Sequence, residues 1–220
     1  NDENGQSHFL LWGGTSDVAD AAEVLRQSSL QRDGVDGSFA AVAESGNEAP
    51  FSPFFHQLTP LDDGRFFLSG GVVADGGSLS APRDDEAWVL TYQDEPTPSL
   101  TIIRAPGFGQ GRVFHTAASS NGQNVSIIGG FTSTACGAEC DGYTLPTITD
   151  SSIRFFDLAD GTWSAAADAG GFTERGGMGG HMMRSGSVFL VGGEPDLSAF
   201  TSATSRAIVE IYTPSNIPQP

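Results

Sequence analysis

Three of the four histidines recur with the chain's own periodicity, each upstream of a Gly-Gly pair. His56 lies 14 residues before Gly70, His115 lies 14 before Gly129, and His181 lies 11 before Gly192. Imidazoles gathered from three equivalent positions could ligate a transition metal. A residue that returns once per structural unit is more simply explained by one packing and hydrogen-bonding task done in every unit. That is the expectation here, and no metal ligand or catalytic residue is assigned. His8 stands outside the set, beside Phe9 in an apolar stretch, and takes no role.

Other chemistry-bearing groups are sparse. The two cysteines, Cys136 and Cys140, sit in the run ACGAECDGY. Two thiols cannot complete a tetrahedral zinc site, and their spacing is not C-x-x-C. With Gly137 letting the chain turn, their Cα atoms can approach to the roughly 4–7 Å that a disulfide needs. A Cys136–Cys140 disulfide is therefore expected, with two free thiols as the alternative, and it points to an oxidising compartment. Asp33 and Asp36 alternate with Gly34 and Gly37, a flexible carboxylate loop of the kind calcium uses. The run lacks the D-x-D-x-D-G order and its distal glutamate, so an acidic turn is preferred. The same reading holds for Asp84, Asp85 and Glu86. The glycine-rich run ERGGMGGHMM, Glu174 to Met183, has no P-loop lysine, because the chain contains none. No G-x-S-x-G elbow is present, so no nucleophile can be assigned.

Charge narrows the partners. Ten arginines face 27 acidic residues, a formal net charge of −17. Such a field repels nucleic acid and anionic membrane surfaces. No apolar run exceeds about five residues, too short for a transmembrane helix.

The elements that position these groups repeat. HFLLWGG, RFFLSGG, VSIIGG and VFLVGG end at Gly14, Gly71, Gly130 and Gly193, at intervals of 57, 59 and 63 residues. Each later copy is preceded by a turn, LDDG, SSNG or RSG, where glycine supplies the positive φ that tight hairpins need. After each diglycine a polar loop of variable length leads to a third strand, ending at Tyr92, Asp157 or Thr213. A fourth strand begins at Trp163 across the turn DLADGT, and its counterpart is Leu100 to Ala105. One unit is thus a four-stranded antiparallel meander.

The histidine-to-diglycine spacing, Arg112 and Arg175 before it, the aromatics Tyr92, Phe156 and Tyr212, and Trp163 together resemble the kelch repeat. The resemblance implies an all-β, kelch-like β-propeller of about four blades, the terminal ones incomplete. Blade boundaries fall near residues 1–50, 51–107, 108–170 and 171–220. It also implies that blades stack about an axis, burying their faces against one another. Both ends break inside a blade, so a piece of a longer polypeptide is expected.

Functionally, the expectation is a non-enzymatic extracellular, periplasmic or cell-surface binding or assembly module. It needs no cofactor, and its partner is a protein or the remaining blades of the same protein. An enzyme is the first alternative, with its site at the channel mouth and either copper-oxidase-like or carbohydrate-active. Galactose oxidase, a copper-radical enzyme, is built on a kelch-like propeller, and Tyr143 near Cys140 invites the comparison. A structural subunit of a surface assembly is the second alternative.

Overall fold

The structure, a computed structural model, describes residues 8–11, 29–32, 39–41, 43–46, 53–61, 64–75, 78–79, 87–93, 99–107, 109, 111–120, 124–132, 148–149, 152–164, 167–168, 173–195 and 208–213. These residues form strands, turns and extended links, with no helix among them. The fold is all-β.

Three antiparallel meanders carry the described core. Sheet I runs Gln57–Pro60, Arg65–Ser69, Ala87–Gln93 and Ser99–Arg104, with Ala43–Gly46 added in parallel beside the last strand. Sheet II runs Thr116–Ser120, Asn124–Ile128, Ser152–Asp157 and Thr162–Trp163, and Ala167–Asp168 also pairs with the third of these strands. Sheet III runs Gly176–Met182, Val188–Glu194 and Val209–Tyr212. A further antiparallel sheet joins His8–Leu11, Ser29–Arg32 and Phe39–Ala41. No sheet closes on itself among the described residues.

Turn chemistry sets the register. In sheet I the Leu61 N–H donates to the Arg65 carbonyl at 2.8 Å, and in sheet III the Met183 N–H donates to that of Ser187 at 2.8 Å. The glycine before the closing residue, Gly64 or Gly186, takes φ +80° in both. This is the three-residue hairpin with a left-handed glycine that matches the natural strand twist. At Asp157 a carboxylate oxygen accepts the N–H groups of Ala159 (2.8 Å) and Asp160 (3.2 Å), an Asx-type turn that returns the chain to Trp163.

Successive sheets pack face to face. Between I and II lie Leu61, Phe67, Ala87, Ala105, Ala117, Val125, Ile127 and Phe156, all buried, with Trp163 against them. The Trp163 ring sits 4.8 Å from Phe156 and 6.0 Å from Phe67, and its Nε1–H donates to the Pro106 carbonyl at 2.6 Å. Between II and III lie Ala118, Ile128, Ile153, Met178, Val188 and Leu190, joined by Tyr212. The opposite face of sheet I holds Leu68, Trp88, Leu90, Leu100 and Ile102, with Tyr92 packed on them. Each sheet has two apolar faces, which is why its strands read as apolar runs rather than strict alternation.

Candidate functional site

The polar groups common to the repeats meet where the first strands of successive sheets lie side by side. Main-chain bonds define the equivalence. The Phe114 N–H donates to the Phe55 carbonyl (3.3 Å), and the Gly177 N–H donates to the Phe114 carbonyl (2.7 Å). All three residues are left-handed, with φ of 58°, 53° and 69°. The steps from 55 to 114 and from 114 to 177 are 59 and 63 residues, the same as the last two diglycine steps. In this register His56 corresponds to His115, and the third member is Met178, not His181. His181 lies three residues further along the strand, exposed, opposite Phe189. The expected grouping of His181 with the other two is therefore corrected. It kept the order along the chain but not the distance to the diglycine.

His115 is 3% exposed and bridges two sheets. Its Nε2 lies 2.8 Å from Ser69 Oγ, and its ring fills the space over Gly70. Burial pushes its pKa down to about 3, with the Arg112 charge and His56 acting in the same direction. At neutral pH it is an uncharged inter-sheet linker.

The two arginines act as staples. Arg112 is fully buried and donates from Nη1 to the carbonyls of Gly129 (3.1 Å) and Ser152 (3.0 Å), and from Nη2 to Ser152 Oγ. Arg175, also fully buried, donates from Nε to the Gly192 carbonyl (2.7 Å) and from Nη1 to the Thr173 carbonyl (2.8 Å), and pairs with Glu210. Burial would raise the Glu210 carboxyl, but hydrogen bonds from Arg175 and Thr173 and the Arg175 charge hold it below the usual range. Both arginines grip the carbonyl of the first glycine in their own diglycine. Their main-chain carbonyls accept the N–H of the second glycine in the preceding unit, Gly71 to Arg112 at 2.8 Å and Gly130 to Arg175 at 2.9 Å. Thr116 Oγ1 adds a bond to the Met178 carbonyl at 2.7 Å.

Sequence reasoning singled out the histidines and arginines but missed Phe55, Phe114 and Ser69. A bulky residue at positive φ is strained. Phe55 and Phe114 hold it by stacking at 4.5 Å, with the Phe131 ring edge-on to Phe114 at 6.4 Å. The available signal was Gly177, a glycine aligned with two phenylalanines once the units are superposed.

Among the described residues no group of three or more His, Cys, Asp or Glu is placed to hold a metal ion. Nor are the groups that copper-radical chemistry needs brought together there. Tyr92 and Tyr212 belong to different apolar clusters, and His115 is committed to Ser69. The glycine-rich run from Glu174 enters a strand, not a helix. His8 lies in a strand opposite Arg32. Asp33, Asp36, Asp84, Asp85, Glu86, Cys136, Cys140 and Tyr143 lie outside the described residues, and so does the expected disulfide. No helix of the described residues is long and apolar enough to cross a membrane.

No family model and no curated protein matches the chain. Solved structures do match, among them a novel fungal alcohol oxidase of the AA5 family, determined in complex with copper. The identity is 16% and the TM-score 0.48, over 76% of this chain and 30% of that one. The chain thus spans about 30% of the length of the protein it is compared with.

Proposed function

We propose that the chain is a kelch-like propeller segment acting as a non-enzymatic binding or assembly module outside the cytoplasm. The observation that carries this reading is the fate of the repeated polar side chains. His115, Arg112 and Arg175 are buried in the seams, and the bonds they make run to the framework itself. A neutral, buried histidine bonded to Ser69 stiffens a scaffold and offers no general base to solvent. Rigid sheets of this kind present the segments between their strands, and such segments carry recognition. In this chain those segments include the acidic run Asp84, Asp85 and Glu86. A net charge of −17 favours a basic partner surface. Placement outside the cytoplasm rests on the cysteine pair Cys136 and Cys140.

The test is metal loading followed by assay. After incubation with Cu(II) and exhaustive dialysis, the protein is expected to retain no stoichiometric copper and to release no hydrogen peroxide from primary alcohols or galactose in air. Retained copper with alcohol-dependent peroxide would overturn the reading in favour of an oxidase.

A further inference from the structure

One position of the third strand carries a different charge in each sheet. Trp88, Arg154 and Glu210 pair with Leu68, Ile127 and Leu190, each of which stands two residues before a diglycine. In the register that aligns Phe55, Phe114 and Gly177, the first-strand residues that go with them are Pro53, Arg112 and Arg175. Sheet I therefore has no charge at this place, and Trp88 is buried in an apolar cluster. Sheet III has a balanced pair. Glu210 binds Arg175 and also accepts the Thr173 N–H at 3.2 Å and its Oγ1–H at 2.8 Å.

Sheet II has two arginines. Arg112 donates to Gly129 and Ser152. Arg154 lies two residues from Ser152 and so belongs to the same face of the sheet. Its Nη1 is 3.4 Å from the point where Gly109 would carry a Cβ. The guanidinium thus rests on the segment leading into Arg112, as Glu210 rests on Thr173 ahead of Arg175. Arg154 is half-buried, and its Nε is buried with no acceptor among the described residues. No carboxylate of the described residues pairs with it. A dehydrated guanidinium N–H without an acceptor is costly, and a second cation on the same face adds to the cost. Acidic residues outnumber arginines 27 to ten, so the chain does not lack carboxylates to place there.

We propose that Arg154 is the receptor for a small organic acid, whose carboxylate takes in sheet II the place that the Glu210 side chain takes in sheet III. The Nε–H and the neighbouring Nη–H form the parallel pair that a carboxylate accepts in bidentate fashion. Arg112 supplies a second positive charge behind it. The repeat itself selects the chemistry, because the group held at the equivalent place is a carboxylate. The inference stands apart from the binding-module reading: alcohol-dependent peroxide release would overturn that reading and leave this site untouched.

The test is a titration with sodium malonate at constant ionic strength, followed by the proton–nitrogen NMR signal of the Arg154 Nε–H, which is assigned by its loss in Arg154→Gln. A saturable shift of this signal is expected in the 220-residue chain. Tenfold above half-saturation the Tm should rise by about 3–6 °C, whereas sodium chloride at the same ionic strength should move neither. Arg154→Glu supplies the carboxylate from the chain, as Glu210 does. It is expected to abolish the malonate response and to raise the ligand-free Tm by several degrees. That rise is expected although one positive charge is lost and one negative charge gained on a chain already at −17. Absence of a saturable shift in the unaltered chain would overturn the proposal without recourse to a variant. So would a thermal response to malonate that survives in Arg154→Glu, a lowered ligand-free Tm in that variant, or a response to phosphate as strong as that to malonate.

Discussion

Acid should open the seam between sheets I and II through one histidine. In the folded chain His115 stays neutral down to about pH 3, whereas an unfolded histidine titrates near 6.5. Between these values the unfolded chain binds a proton that the folded chain refuses, so stability falls as pH falls. The contribution is intact above pH 6.5 and erodes from there towards pH 3. Linkage arithmetic puts the loss at about 2 kcal/mol by pH 5 and about 4 kcal/mol near pH 3, to order of magnitude. The groups acting on the ring are Arg112 and His56, both of which oppose its protonation. The assay is urea unfolding at pH 7.5 and pH 5, followed by tryptophan fluorescence. Trp163, packed against Phe67 and Phe156, reports on this seam. The comparison is with His115→Gln, which keeps a polar group facing Ser69 but cannot take up the proton. Every carboxylate is common to the two proteins, so the difference between their pH slopes isolates His115. The wild type should lose about 2 kcal/mol more than the variant between the two pH values. Equal slopes would mean that His115 titrates as if exposed, and the buried seam would be wrong.

Further outcomes follow from the same geometry. Gly70→Ala and Gly192→Ala both incur the left-handed penalty of about 1–2 kcal/mol. Only the former also drives a methyl group into Arg112 and His115, so chemical denaturation should show it as the costlier by about 2 kcal/mol or more. Glu210→Gln removes the charge partner of a buried guanidinium and should cost about 3 kcal/mol in thermal melts. Phe114→Gly should be less destabilising than Phe114→Ala by about 1 kcal/mol, because both lose the ring and only glycine relieves the left-handed strain at φ 53°.

Much of the fold was legible because its signals are local. Gly-Gly after an apolar strand marks a place where two consecutive residues take positive φ, as Gly70/Gly71, Gly129/Gly130 and Gly192/Gly193 all do. Asp-Gly and Ser-Gly turns specify hairpins by backbone preference alone, and the third and fourth strands fell where the apolar runs ended. The site was less legible. His181 looked like the third of a set because sequence conveys order and spacing, and spacing is distorted wherever a turn changes length. Only the bond from the Gly177 N–H to the Phe114 carbonyl shows that Met178 occupies the histidine's place.

What the amino-acid sequence determined by itself is the repeating strand plan, since hairpin turns, glycine doublets and apolar runs act over a few residues. What the tertiary structure decided is the chemical state of the groups on that plan. A histidine, two arginines and a serine more than forty residues from its partner become parts of a dry joint only when neighbouring sheets close over them. Desolvation and long-range pairing are properties of that closure, and no window of sequence contains them.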